Sequence, residues 1–165
     1  DWAHFSAATD APAVRSSAFA QMYEAKNPDL AKLFAYGGKL LVWHGESDPG
    51  PSPTGTLDYA RAVMAQNPRA AQQFRVFLAP GVGHCGGGPG ADVLPVADTI
   101  DSWVHSNRAP ESVVATKRDH SLTRLDCAWP KVAHYAGAGD PNDPSSWKCV
   151  ARSTGDNFSR AGERG

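Results

Sequence analysis

The chain of 165 residues sets 16 lysines and arginines against 17 aspartates and glutamates, which leaves a formal net charge of -1. This balance argues against a nucleic-acid partner, and no apolar run approaches the ~20 residues that cross a bilayer. The apolar fraction of 41% and the charged fraction of 20% are typical of a globular domain. The chain opens at Asp1 with neither an initiator methionine nor the apolar core of a signal peptide, so we expect a processed or truncated N-terminus.

The first half of the chain predicts one helix between two strands. The continuous apolar run 40–43 is typical of a buried parallel strand. Apolar residues at helical spacing then predict a helix over 57–66, with Thr54 or Thr56 as its cap. A second strand is expected at 74–78. A strand, a helix and a further strand are the unit of a parallel α/β sheet.

Outside this unit the pattern is weaker, apart from one further helix. Residues 1–29 show little periodicity, and 29–35 predict only a short helical turn. An apolar stripe over 93–104 predicts a helix that packs on the core. A short final strand or edge is expected at 113–115, and the sequence from 117 onward is irregular.

These elements predict an α/β fold, made of the last parallel strands, a C-terminal helix and a tail. The sequence predicts only two or three strands, whereas an average sheet has about five or six. The chain is therefore expected to be the last third of a larger domain. Residues 1–150 are assigned to that domain, and residues 151–165 are expected to form a disordered tail.

Two side chains at the ends of the predicted strands suit acid–base chemistry. Asp48 follows the first strand and His84 the second, each in a loop rich in glycine and proline. In hydrolytic triads an acid orients an imidazole, and in α/β-hydrolases the order is nucleophile, acid, histidine. An aspartate before a proline is common in turns, and a loop histidine is often only hydrogen-bonded. The matched positions of the pair favour a catalytic acid and base, whereas His44 is expected to be packed and hydrogen-bonded.

The nucleophile of such a triad has no good candidate in this sequence. A serine elbow requires Gly-x-Ser-x-Gly between a strand and a helix, and 45–49 is its nearest match. The last position there is Pro49, and Ser47 adjoins the acid, so we reject Ser47. Cys85 lies beside His84 and is the candidate nucleophile of a thiol hydrolase, although neighbours in sequence seldom reach the geometry that this pair needs.

The chain has three cysteines, an odd number. Cys127 and Cys149 lie in the irregular tail, and Cys85 stands alone. An odd cysteine in an exported protein indicates a missing partner. His84 and the three cysteines are residue types that bind zinc, but their spacing does not match the common structural sites, so no metal is assigned.

The two loops and the tail together resemble one known family, the tannases and feruloyl esterases. The first loop reads His-Gly-Glu-Ser-Asp-Pro at 44–49, and the second reads Ala-Pro-Gly-Val-Gly-His-Cys-Gly-Gly-Gly-Pro-Gly at 79–90. The tail is similar as well, from Cys-Ala-Trp-Pro at 127–130 to Cys149. The resemblance covers most of residues 28–149.

The resemblance implies an α/β-hydrolase domain with a large lid inserted upstream, and hydrolysis of aromatic-acid esters such as gallates and hydroxycinnamates. It implies that Asp48 is the triad acid and His84 the base. The serine, the oxyanion hole, the lid and a structural calcium in that lid would all precede this chain. Cys85 matches a cysteine that bridges to a neighbour of the serine, and Cys127 and Cys149 match a tail disulfide.

We therefore expect the C-terminal portion of a secreted or periplasmic serine carboxylesterase that acts on aromatic-acid esters. Its partner would be the missing N-terminal portion of the same enzyme, linked through Cys85, and no cofactor is expected within this chain. Alone, the chain is expected to be inactive. The alternative is an inactive fragment that serves only as a binding or interaction module, with a strand edge exposed to a partner chain.

Overall fold

The computed structural model describes residues 2–152, so that residues 153–165 of the predicted tail lie outside the described residues. Within the described part, six strands pair into three two-stranded sheets. The strands are β1 (Leu40–Gly45), β2 (Phe74–Ala79), β3 (Ser112–Thr116), β4 (Thr123–Cys127), β5 (Lys131–Tyr135) and β6 (Trp147–Ala151). The helices are α1 (Asp10–Ser16), α2 (Ala18–Tyr23), α3 (Ala31–Ala35), α4 (Pro53–Gln66), α5 (Ala70–Gln73) and α6 (Val96–Ser106), with single 3-10 turns at Trp2–His4 and Pro144–Ser146.

The β1–α4–β2 unit is the one that the sequence predicts. The two strands pair in parallel, from Leu40 opposite Phe74 to Gly45 opposite Ala79. Because the strands are in register, their carboxyl ends lie side by side. The loop that carries Asp48 and the loop that carries His84 therefore leave the sheet at neighbouring points.

One face of α4 packs on this sheet. Its side chains at helical spacing, Leu57, Ala60 and Val63, are buried together with Phe74 and Val76 of β2. Complete burial of a large apolar side chain contributes about 1.5–3 kcal/mol. This core fixes the distance between the two strands and the helix, and so the positions of the loops between them.

The helix α4 begins at Pro53 rather than at 57, and its cap differs from the predicted one. The side chain of Ser52 accepts a hydrogen bond from the Thr54 amide at 3.2 Å. Pro53 occupies the first turn, where its missing N–H leaves no hydrogen bond unmade. The predicted caps, Thr54 and Thr56, lie inside the helix.

The remaining helices depart from the sequence pattern in two places. The weakly patterned N-terminus forms α1 and α2, neither of which buries a side chain. The predicted helix over 93–104 starts at Val96, because Val93 instead pairs with Thr116 through two backbone hydrogen bonds of 2.8 and 3.0 Å. Of its apolar stripe only Trp103 is fully buried.

The sequence predicts an irregular tail, but the structure forms three strands there. β3 pairs antiparallel with β4, and β5 pairs antiparallel with β6. A bridge from Phe77 to Ala128 joins this region to β2. β6 includes Ala151, which was expected to begin the disordered tail, and Arg152 is also described. No helix of the described residues is long and apolar enough to cross a membrane.

A disulfide joins Cys127 at the end of β4 to Cys149 in β6. This is the pairing that the family resemblance implies. Because the two sulfurs are bonded to each other, they are not thiolate ligands for zinc, and the zinc alternative has no support in this structure. The bridge holds the second antiparallel sheet against the first.

Replacing both bridged cysteines by alanine is expected to lower the free energy of unfolding by roughly 3 kcal/mol, because the unfolded chain loses a closed loop. Urea unfolding at neutral pH measures this. Cys85→Ala is the matched control and should leave the unfolding midpoint unchanged. An unchanged midpoint in the double variant would show that the bridge does not hold the tail.

Candidate active site

The acid loop and the histidine loop are tied together by their backbones. The Glu46 amide donates to the Ala79 carbonyl and the Ser47 amide to the Val82 carbonyl, both at 3.0 Å. Gly45, directly before Glu46, is buried where the two loops meet. A Cβ atom at this position would overlap the backbone carbonyl oxygens of Val82 and Gly83. The two loops thus approach more closely than any side chain at Gly45 would permit.

Gly45→Ala is expected to push the loops apart and to lower the free energy of unfolding by about 1–3 kcal/mol, as overpacking does. Thermal unfolding measures this. Gly55→Ala is a suitable control, because nothing lies within 4 Å of the added methyl group. Replacing glycine by alanine within a helix such as α4 should raise the free energy of unfolding by up to about 1 kcal/mol. If both variants gain stability, the close approach at Gly45 has no structural role.

Asp48 and His84, which the sequence predicts as acid and base, are in contact. Asp48 Oδ2 lies 2.8 Å from His84 Nδ1. The Asp48 side chain is only 4% exposed, whereas that of His84 is 58% exposed. Since a carboxylate accepts, Nδ1 carries the proton and donates it, which leaves the lone pair on Nε2. Within the described chain Nε2 makes no hydrogen bond, so it is available to a group outside it.

The surroundings of Asp48 favour its ionised form. Desolvation raises the pKa of this carboxyl, but the hydrogen bond from His84 and that from the Gly50 amide lower it more, so the pKa lies below its usual value. The Gly50 amide donates to Oδ1 at 2.8 Å. An ionised carboxylate with one oxygen held by the backbone leaves the other oxygen to orient the imidazole.

Asp92 holds the loop that carries His84, and the sequence pattern did not single it out. Its carboxylate accepts hydrogen bonds from the amides of Gly87 at 2.9 Å and Arg118 at 3.1 Å. These two bonds lower the pKa of Asp92. Cys85 and the three glycines after it have positive φ. Glycine adopts this conformation readily, which explains the glycine run. The only sequence signal for Asp92 is an acid a few residues beyond that run.

Cys85 itself is exposed, and it is the free cysteine of the described chain. Ser47 is also exposed and lies in the acid loop directly before Asp48, where its amide bonds to the histidine loop. Neither side chain hydrogen-bonds to the imidazole of His84, whose Nδ1 is occupied by Asp48. The structure therefore brings the predicted acid and base together and supplies no nucleophile beside them within the described residues.

A cavity of about 480 Å³ lies behind the acid loop. Its walls include Trp129 and Trp147, and its polar residues include Glu46, Asp126 and Arg152. Asp126 is 4% exposed, and its Oδ2 has no hydrogen-bond partner within the described chain. Burial, with a contribution from the charge of Glu46, raises the pKa of Asp126 to about 7. Burial also raises the pKa of Glu46, which Arg152, 4.0 Å away, partly opposes.

The described residues contain no group of three or more histidine, cysteine, aspartate or glutamate side chains that could hold a metal ion. The calcium that the resemblance implies was expected in the lid, outside this chain.

Comparison with known proteins gives a consistent result. Residues 3–150 match the family model described as tannase and feruloyl esterase. The chain is 36% identical over 133 residues to a mono(2-hydroxyethyl) terephthalate hydrolase of Piscinibacter sakaiensis, a match that covers 77% of this chain and 22% of that protein. It is 40% identical over 135 residues to a probable feruloyl esterase of Arthroderma benhamiae, covering 75% of this chain and 25% of that protein.

The fold is also that of a solved relative. The structure superposes on feruloyl esterase B from Aspergillus oryzae with a TM-score of 0.74 and 26% identity, over 91% of this chain and 34% of that one. The chain thus spans about a fifth to a third of the length of these proteins. Since the family model matches nearly the whole described part, the chain belongs to the tannase and feruloyl esterase family.

Proposed function

We propose that this chain is the C-terminal portion of a serine carboxylic ester hydrolase that cleaves esters of aromatic acids. The observation that carries the proposal is the 2.8 Å contact between Asp48 and His84 at the ends of two parallel strands. It occurs in a family whose members include feruloyl esterases and a terephthalate monoester hydrolase. Asp48 is the triad acid in this proposal and His84 is the base.

The free Nε2 of His84 is suited to remove the proton of a serine hydroxyl from the upstream part of the enzyme. The serine oxygen then attacks the ester carbonyl, and the alcohol leaves with that proton. A water molecule, deprotonated by the same nitrogen, hydrolyses the acyl-enzyme and releases the aromatic acid. Asp48 stays ionised throughout and stabilises the imidazolium that forms in each half of the reaction.

Two features support a larger enzyme around this chain. Among the described residues β1 pairs only with β2, so its other edge is open to a further strand. The N-terminal helices expose large apolar side chains, including Phe19, Met22 and Tyr23. Exposed apolar surface of this kind marks contacts with another part of a protein. In this proposal the upstream portion supplies the serine, the oxyanion hole and the lid with its structural calcium.

Cys85 is proposed to bond to a cysteine of that upstream portion, next to the serine. Its support is the exposed, free thiol directly after the catalytic histidine. Together with the tail disulfide, this indicates a secreted or periplasmic enzyme, because disulfides persist in oxidising compartments. Intact mass with and without reductant, after limited proteolysis of the natural enzyme, tests the link: reduction should release the fragment that contains Cys85.

Ester hydrolysis by the 165-residue chain and by the protein at its full natural length tests the division of labour. A methyl hydroxycinnamate is a suitable substrate. Only the longer protein should turn it over, and His84→Ala should abolish that turnover. Turnover by the short chain that depends on His84 would contradict the proposal. If that turnover is also lost in Cys85→Ala, the chain is a thiol hydrolase instead.

The competing function is a binding or interaction module without catalysis. The exposed apolar side chains of α1 and α2 are the observation that favours it. A full-length protein that binds a partner chain but shows no His84-dependent hydrolysis would support this function and would exclude the esterase.

A further inference from the structure

His44, at the end of β1, is held by contacts at both ring nitrogens. Its side chain is 12% exposed. Nδ1 lies 2.7 Å from the Thr56 hydroxyl oxygen in the first turns of α4. Nε2 lies 3.1 Å from the Pro51 carbonyl oxygen and 3.3 Å from Asp48 Oδ2.

These neighbours determine where the ring carries its proton. The Pro51 carbonyl and the Asp48 carboxylate are acceptors only, so a bare Nε2 would set its lone pair against both of them. The neutral ring therefore has its proton on Nε2. The Thr56 hydroxyl, which can donate or accept, then donates to Nδ1. Thr56 thus holds the His44 ring at Nδ1 without a hydrogen bond to Asp48.

The oxygen beside His44 is the same one that orients His84. Asp48 Oδ2 receives the Nδ1–H of His84 on one side and faces the Nε2–H of His44 on the other. The bond from His44 to Pro51 also ties the end of β1 to the far end of the acid loop. His44 therefore holds the carboxylate in place. It does not touch the reacting atoms and acts only through Asp48.

We propose that His44, whose ring Thr56 holds through Nδ1, is a positioning residue that keeps the Asp48 carboxylate aimed at His84. The role in catalysis rests on the proposed esterase function, whereas the effect on the carboxylate does not. The titratable groups that face Asp48 are His84 and His44. Desolvation raises the pKa of Asp48, and the hydrogen bonds from His84 and Gly50 together with the electrostatic effect of the two histidines lower it more.

Titration of the Asp48 carboxyl carbon by NMR, in the protein at its full natural length, tests the proposal directly. His44→Phe keeps the ring shape and removes both nitrogens. Its titration midpoint should rise by about 0.5–1 in pH, as expected for one lost donor. The variant should also lower kcat about 10-fold or more with little change in KM, because the acid is misplaced. His44→Gln, which restores an N–H donor, should recover part of both.

Thr56→Val decides the question if His44→Phe does not fold, since it keeps the histidine and removes only the hydroxyl. Its midpoint should rise as well, by a smaller amount. Thr54→Val, on the exposed side of the same turn, is the matched control and should show no rise. An unchanged midpoint in His44→Phe, or in Thr56→Val where His44→Phe does not fold, would overturn the inference. Full turnover by Asp48→Asn would instead refute the esterase mechanism and leave the titration result standing.

Discussion

Asp48→Asn is expected to lower kcat for ester hydrolysis by about 10⁴-fold in the protein at its full natural length. The side chain is nearly buried, so asparagine fits the same space. Its amide cannot stabilise the imidazolium of His84. An NH2 group opposite Nδ1 would moreover favour the tautomer with the proton on Nε2, which cannot accept the proton of a serine. The measurement is steady-state hydrolysis of a hydroxycinnamate ester, with thermal unfolding to verify that the fold is retained.

Ser47→Ala is the matched control for this variant. Ser47 adjoins the acid, its side chain is exposed, and only its amide bonds to the histidine loop. Loss of the Ser47 hydroxyl should leave kcat within about twofold, because substitutions of exposed side chains that make no buried contact have small effects. A loss of activity in Ser47→Ala comparable to that in Asp48→Asn would mean that the nucleophile had been misassigned.

Asp126→Asn is expected to stabilise the fold at pH 8 by up to about 4 kcal/mol and to have little effect at pH 4. Burial raises the pKa of Asp126 from 3.8 to about 7, and each pH unit of difference corresponds to about 1.4 kcal/mol. The folded chain therefore binds this proton more tightly than the unfolded chain. The contribution of protonated Asp126 to the free energy of unfolding is complete below about pH 4, falls as the pH rises, and is fully lost above about pH 7. Asparagine does not ionise, so it escapes this loss.

Thermal unfolding at the two pH values measures the difference. A gain of this size should raise the Tm by about 10 °C at pH 8, given roughly 2–4 °C per kcal/mol for a chain of this length. Asp98→Asn, an exposed acid on α6, should change stability by less than about 0.5 kcal/mol at both pH values. Equal gains at pH 4 and pH 8 for Asp126→Asn would show that folding does not raise the pKa of this carboxyl.

The predictable part of the site lies at the ends of β1 and β2. Apolar runs of strand length, broken by glycine and proline, locate both strands, and the parallel pairing follows from the helix between them. The chain order of an acid loop and a histidine loop then predicts that Asp48 and His84 meet. Local sequence suffices here because each side chain is placed by the strand directly before it.

The remainder depends on contacts that are distant in sequence. The three tail strands have no clear alternation, since they are short and are held by pairing and by the disulfide between Cys127 and Cys149. Asp92 acts through the backbone amides of Gly87 and Arg118, which no side-chain pattern reveals. Asp126 is polar in sequence, yet it is buried against Glu46 only once β4 meets the acid loop.

The central claim is that the acid and base of this chain activate a serine that lies outside it. A fluorophosphonate that reacts only with activated nucleophiles tests this most directly, with the labelled residue identified by peptide mass spectrometry of the full-length protein. The account predicts one label, on a serine upstream of the 165 residues, that disappears in His84→Ala. A label on Ser47 or Cys85, or labelling that persists in His84→Ala, would contradict it.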